Sequence, residues 1–154
     1  MLSLRWVVDG ASVLVEGRAD TPARRDRLWE STCFEAFLAP AGVPAYWEVN
    51  VAAGGDWNVY RFDAHRHGMR AENRAPAPVV RAVAEAPHVL AVAATLQLAP
   101  IAELAAGSLD VALAAVLDFG DGERSYWALR HSGAAPDFHA RGSFVVRIDG
   151  ETKT

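Results

Sequence analysis

The sequence predicts an all-β fold, an antiparallel β-sandwich, on three observations. Two segments alternate with period 2. From Thr32 to Leu38, residues Thr32, Phe34, Ala36 and Leu38 share one face and Cys33, Glu35 and Phe37 the other; from Ala45 to Val51, residues Ala45, Trp47, Val49 and Val51 lie opposite Tyr46, Glu48 and Asn50. Such alternation marks strands with one buried face. Turn signals at Asp9-Gly10, Ala53-Gly54-Gly55-Asp56 and Gly120-Asp121-Gly122 punctuate the chain. Short strand-like runs recur between these turns without intervening helical patterns, which favours a sandwich over alternating βα units.

Taken in order, the predicted strands are Leu2 to Val8, Ser12 to Gly17, Thr32 to Leu38, Ala45 to Ala52, Trp57 to Asp63, Val89 to Gln97, Leu109 to Phe119, Arg124 to Arg130 and Ser143 to Ile148. Val111 to Leu117 has helical propensity in its alanines, but an apolar run ending at Leu117 and Phe119 before a Gly turn reads as a fully buried strand. One short helical turn is predicted from Pro100 to Ala106, with proline at its start and Gly107 just past its end. Residues His65 to Pro87 read as a long connection, since Pro76 and Pro78 bar a regular strand through them, with one edge strand at Val79 to Ala84. His131 to Gly142 reads as a second irregular stretch.

The chain of 154 residues suits one domain, residues 1–150, with 151–154 as a tail. Its 51% hydrophobic and 22% charged residues are those of a soluble globular protein. A net charge of −4 argues against a nucleic-acid partner. Arg24, Arg25 and Arg27 cluster but are diluted by Asp20, Asp26 and Glu30, and read as a solvated loop. Cys33 is the single cysteine, so no intramolecular disulfide is expected, and its strand position reads as a buried, inert thiol. The opening MLSLRWVVDGASV is interrupted by Arg5 and Asp9 and does not read as a signal peptide, and no apolar run reaches membrane-span length. With Met1 as the native start, a cytoplasmic protein without a membrane partner is expected.

The face carrying Glu35, Glu48 and Asn50 gathers two carboxylates and an amide, with the loop residue Trp29 nearby. Rings that stack and carboxylates that accept hydroxyl protons are the chemistry of a surface for a polyhydroxylated or planar ligand. The same residues carry a resemblance. Leu28-Trp29-Glu30, Phe34-Glu35-Ala36-Phe37-Leu38 and Tyr46-Trp47-Glu48-Val49-Asn50, flanked by Leu4-Arg5-Trp6 and Ser125-Tyr126-Trp127, resemble the DOMON-like superfamily and within it the family 9 carbohydrate-binding modules. That resemblance implies a jelly-roll-like β-sandwich and a non-catalytic domain binding a carbohydrate or sugar-like metabolite. Trp29 matches a stacking tryptophan and Glu35 a polar contact. Glu48 departs from the pattern, standing where the sugar binders tend to carry a basic residue. The second stacking tryptophan is missing from the closing loop, where Phe138 or His139 would substitute. The expected ligand site is therefore Trp29, Glu35, Glu48, Asn50, Phe138 and His139.

Three alternatives remain open. The superfamily also includes haem binders, for which Met69 with His65 or His67, and His131 or His139 opposite, supply the ligand types. Otherwise no cofactor or metal is expected; His65-x-His67 beside Asp63 is a weak metal signal. Glu35 and Glu48 would make a glycosidase-like carboxylate pair, unless Arg61 on the adjoining strand neutralises one of them. Trp29, Trp57 and Tyr60 would serve as anchors of a protein-interaction module. Oligomeric state is not legible from the sequence.

Overall fold

Two antiparallel sheets pack face to face in the computed structural model, which describes residues 1–10, 13, 15, 17, 20–120 and 122–150. The strands are β1 (Leu2–Asp9), β2 (Cys33–Pro40), β3 (Tyr46–Val51), β4 (Trp57–Phe62), β5 (Arg70–Ala71), β6 (Val79–Ala86), β7 (Val89–Leu96), β8 (Leu109–Asp118), β9 (Arg124–Ala128) and β10 (Val146–Ile148), with one helical turn α1 (Ala102–Ala105). The small sheet has the order β1-β7-β6, and the large sheet β10-β8-β2-β3-β4-β5. β9 and β10 share β8: β10 pairs with Leu109 to Val111, and β9 with Ala114 to Asp118. The chain is an antiparallel β-sandwich, as its alternation predicts.

Period-2 geometry sends Phe34, Ala36 and Leu38 of β2, with Trp47, Val49 and Val51 of β3, toward the small sheet. There they meet Leu4, Val92, Ala94 and Leu96 in the main core. The large sheet has a second covered face. Phe37, Tyr46, Tyr60, Phe62, Ala112, Ala114 and Val116 pack there beneath Phe138 and Phe144 of the 131–145 segment, which makes a third layer. Glu72 closes the other side of β3: Trp47 Nε1 donates to Glu72 Oε2 at 3.0 Å, and Arg74 pairs with the same carboxylate at 2.7 Å.

Several boundaries differ from those the sequence suggests. The second strand of the hairpin expected at Asp9-Gly10 lies largely outside the described residues. On its other side β1 pairs along its length with β7, and the Gly10 N–H donates to the His88 carbonyl. The predicted strand Ser12 to Gly17 lies largely outside the described residues; Val13, Val15 and Gly17 are not in a strand. Ser143 to Ile148 is a 3-10 turn (Arg141–Ser143) followed by the short β10. The edge strand in the 65–87 connection is present and longer, as β6, and β5 precedes it. Arg24 is not a solvated loop residue. Its guanidinium lies 4.3 Å from the Trp57 ring centroid and donates to Asn58 Oδ1 and to the carbonyls of Glu72 and Ala75, fastening the 20–27 segment to the β4 edge. Among the described residues no helix is long and apolar enough to cross a membrane.

Candidate functional site

Strand register builds the site. Across β2, β3 and β4, Glu35 opposes Asn50 and Asn50 opposes Asn58; Phe37 opposes Glu48, and Glu48 opposes Tyr60. Two neighbouring rows thus carry all the polar groups of this face, side by side with aromatic rings. Burial is far greater than the sequence pattern implies. Glu35 and Glu48 are each 4% exposed and Asn50 is fully buried. The reason is the third layer: Phe138 and Phe144 lie over this face, so it is a covered floor and not an open surface.

What remains open is a cleft of about 570 Å³. Glu35 and Glu48 form its floor, Phe62, Val116, Phe138 and His139 its walls, and Trp29, Arg66, Met69, Arg124, Tyr126 and Pro136 its mouth. Trp29 sits half-buried in a 3-10 turn (Leu28–Glu30) entered through the left-handed Arg27, with its ring edge-on to Tyr60, centroids 5.7 Å apart. Asn50 shares the floor's face but does not line the cleft. Its Nδ2 donates to Glu48 Oε1 at 2.7 Å, while its own Oδ1 is buried without a partner.

The two carboxyls differ in their partners. Glu48 has the Asn50 amide and faces His139 Nε2 at 3.8 Å. Glu35 makes no hydrogen bond or ion pair among the described residues, and its side chain lines the cleft. Burial pushes Glu48 up to about 7 against the opposing pull of the Asn50 hydrogen bond and the Arg66 charge. Burial, reinforced by the Glu48 charge, pushes Glu35 well above the usual carboxylate range, with Arg66 pulling the other way.

One wall is fixed by hydrogen bonds. The Arg66 N–H donates to Tyr46 Oη at 3.1 Å, and the Tyr46 hydroxyl lies 2.8 Å from His139 Nδ1. The hydroxyl has one proton and two acceptor lone pairs, one of them taken by the Arg66 N–H, so it can donate to Nδ1, the arrangement in which the imidazole carries its own proton on Nε2, toward Glu48. Burial, with the Arg66 charge, drops His139 to about 4, so its contact with Glu48 is not an ion pair at neutral pH. Asp137 gathers the Arg66 guanidinium at 2.9 Å and His65 Nε2 at 2.8 Å, tying the cover to the turn after β4. That turn requires glycine at Gly68, where φ is +72° and a Cβ would collide with the Asp63 carboxylate.

The structure therefore brings Trp29, Glu35, Glu48, Phe138 and His139 around one cleft and leaves Asn50 beneath it. Met69 also lines it. His65 is held outside by Asp137, Asp63 is taken by Arg70 at 2.8 Å, and His131 lies behind Phe138 with ring centroids 6.2 Å apart. Among the described residues no three His, Cys, Asp or Glu side chains are grouped to hold a metal. The donor set does not fit a haem: His139 has Nδ1 on Tyr46 and Nε2 toward Glu48, and two carboxyls occupy the floor. Arg61 does not neutralise Glu35 or Glu48. It projects from the opposite face of β4, over the Trp47 ring at 5.2 Å and toward Glu103 at 3.4 Å. Trp57 and Tyr60 are buried, 7% and 4% exposed, and cannot serve as exposed anchors.

Sequence reasoning missed Tyr46, Arg66, Arg124 and Tyr126. Tyr46 was within reach, since it alternates with Glu48 and Asn50; Arg66 had no periodic signal, because a left-handed turn residue places it (φ 53°). A separate cavity of about 440 Å³ opens between β1 and the β8–β9 hairpin, lined by apolar side chains such as Trp6, Phe34, Leu117 and Trp127 with Arg5 and Asp9; it lacks the convergent polar groups of the cleft.

No family model matches the chain, and no curated protein sequence does. A crystal structure of a candidate carbohydrate-binding protein from Bacteroides uniformis ATCC 8492 is similar in fold, with a TM-score of 0.57 at 15% identity over 97% of this chain and 71% of that one. At that identity the likeness concerns the sandwich itself. Fold and site together define a β-sandwich with a polar-floored, aromatic-mouthed cleft.

Proposed function

We propose that the cleft binds a carbohydrate or sugar-like metabolite without turning it over. One observation carries this reading: the Glu35 carboxyl is buried at the cleft floor with no partner among the described residues. A buried, unpaired carboxyl is costly to keep, and a ligand hydroxyl entering the cleft would supply the missing hydrogen bond. Half-buried Trp29 and exposed Tyr126 at the mouth offer ring faces for the apolar side of a pyranose. The structural neighbour described as a candidate carbohydrate binder supports the reading. So does the resemblance to the family 9 modules of the DOMON-like superfamily, whose stacking and polar positions fall on Trp29 and Glu35.

Phe138 stands in place of a second stacking tryptophan, but it is 8% exposed and forms wall, not mouth. Affinity for a neutral sugar should accordingly be weak, on the order of 0.1–1 mM, about −4 to −5.5 kcal/mol. Titration of tryptophan fluorescence with mono- and disaccharides tests this. Saturable quenching in that range supports the reading, and no binding at tens of millimolar overturns it. Release of chromogenic aglycones from aryl glycosides would show that the pair Glu35 and Glu48 hydrolyses instead of only binding.

A further inference from the structure

The charges around the cleft are unevenly partnered. At the mouth, the Arg66 guanidinium spends its hydrogen bonds on Asp137, at 3.2 Å from Nε and 2.9 Å from Nη2, and Arg124 faces Asp118 at 3.9 Å. At the floor, Glu35 has no partner among the described residues, and Glu48 has one oxygen on the Asn50 amide and the other 3.8 Å from Nε2 of the His139 imidazole, which burial keeps neutral. The cationic groups are therefore already matched, while the acidic ones are not. The floor carries two buried carboxyls and no cationic group of its own.

We infer that the cleft selects a sugar bearing a free primary ammonium, a hexosamine, with the ammonium seated between Glu35 and Glu48 and the ring against Trp29. This rests on the carbohydrate reading above and narrows it. A neutral hydroxyl gives one donor and no charge, so it would satisfy one oxygen and do nothing for the second carboxyl on the neighbouring strand. An ammonium gives three donors and a positive charge that favours release of the carboxyl protons to solvent, and hydrogen bonds in which both partners are charged are the stronger kind. Burial at the floor excludes the water that would otherwise screen such a pair. An anionic sugar is disfavoured by the same arrangement, since the arginines that would receive it are engaged.

The test is calorimetric titration of the intact protein at pH 7 with glucosamine, galactosamine and mannosamine, with glucose and with N-acetylglucosamine. At least one free hexosamine should bind about tenfold or more tightly than glucose, and N-acetylation should remove the gain. Glu35→Gln should erase the preference for the amine, bringing the hexosamine no tighter than glucose on the same variant; Glu48→Gln repeats the test from the other carboxyl. Neutral sugars binding as tightly as every hexosamine would overturn this inference and leave the carbohydrate reading intact. If no sugar of either kind binds, both fall. An amine preference that survives both substitutions would also overturn it, because the ammonium would then sit elsewhere.

Discussion

Tyr46 and His139 lie 93 residues apart in sequence, yet the Tyr46 hydroxyl sits 2.8 Å from His139 Nδ1 and joins the central sheet to the segment that covers it. The same oxygen accepts the Arg66 N–H, so one side chain of β3 holds both the wall and the turn at the cleft mouth. Tyr46→Phe removes both contacts and leaves the imidazole nitrogen and the Arg66 N–H without their partner. The expected cost is about 1–3 kcal/mol, a fall in Tm of roughly 3–10 °C for a chain of this size. Nitrogen NMR of His139 should show loss of the single Nε2–H tautomer. An unchanged melting temperature with an unchanged tautomer would mean that the bond does not hold the wall.

The buried carboxyls set a stability window on the alkaline side. Glu48 is raised to about 7, so its contribution is fully present below the ordinary carboxyl value of about 4.3 and is lost as pH rises through 7. Glu35, raised well above its ordinary value, extends that loss upward. His139 acts in the opposite sense: lowered to about 4, it favours the fold above its ordinary value of about 6.5 and loses that contribution as pH falls through 4. The two effects oppose each other between about pH 4.5 and 6.5, and above 6.5 the carboxyls act alone. Thermal melts should therefore fall as pH rises from 6.5 through 7, with a slope of up to about 1.4 kcal/mol per pH unit for each carboxyl still protonated. Arg66 opposes the trend from the cleft mouth without cancelling it. Glu35→Gln cannot ionise and should reduce the slope; an equally steep fall in that variant would assign it to other groups.

Cys33 makes a sharper case for burial. It is fully buried on β2, and burial, with the charges of Glu35 and Glu48, pushes its thiol well up. Both access and thiolate are scarce, so labelling by a thiol reagent at pH 8 should be slow in the native state and become rapid in denaturant. Rapid native labelling would mean that the β2 region opens far more readily than its packing allows.

The strands were legible because period 2 leaves its mark directly in the sequence: Phe34, Trp47 and Val49 face one way and Glu35, Glu48 and Asn50 the other, as their alternation requires. What alternation cannot tell is whether the second face meets water. Phe37, Tyr46 and Tyr60 interleave with Glu48 and Asn50 on that face, and three aromatic rings among the polar groups are the trace of a third layer. The layer itself comes from the 131–145 segment, where no periodicity exists to read and where Ser143, donating to the Ala140 carbonyl at 2.6 Å, sets a turn. The Trp29 and Glu35 positions were legible through local pattern, and Arg66 was not, since its place depends on a turn closed by Gly68.

Two tryptophans separate binding from folding. Trp29 is half-buried at the cleft mouth with one edge on Tyr60, outside the main core. Trp6 lies on β1 opposite Val92 and packs against Phe34, centroids 5.9 Å apart, within the inter-sheet core. An aromatic contact with a ligand adds roughly 0.5–1.5 kcal/mol beyond simple burial, so Trp29→Ala should weaken a confirmed sugar about 2- to 12-fold or more while moving Tm little. Trp6→Ala instead opens space between the sheets and should cost roughly 2–4 kcal/mol of stability, with sugar affinity unchanged in whatever fraction remains folded. Parallel melts and titrations of the two variants check both halves. If Trp29→Ala leaves the affinity of a bound sugar as it was, the ligand does not stack at this mouth, and the site must be sought elsewhere on the sandwich.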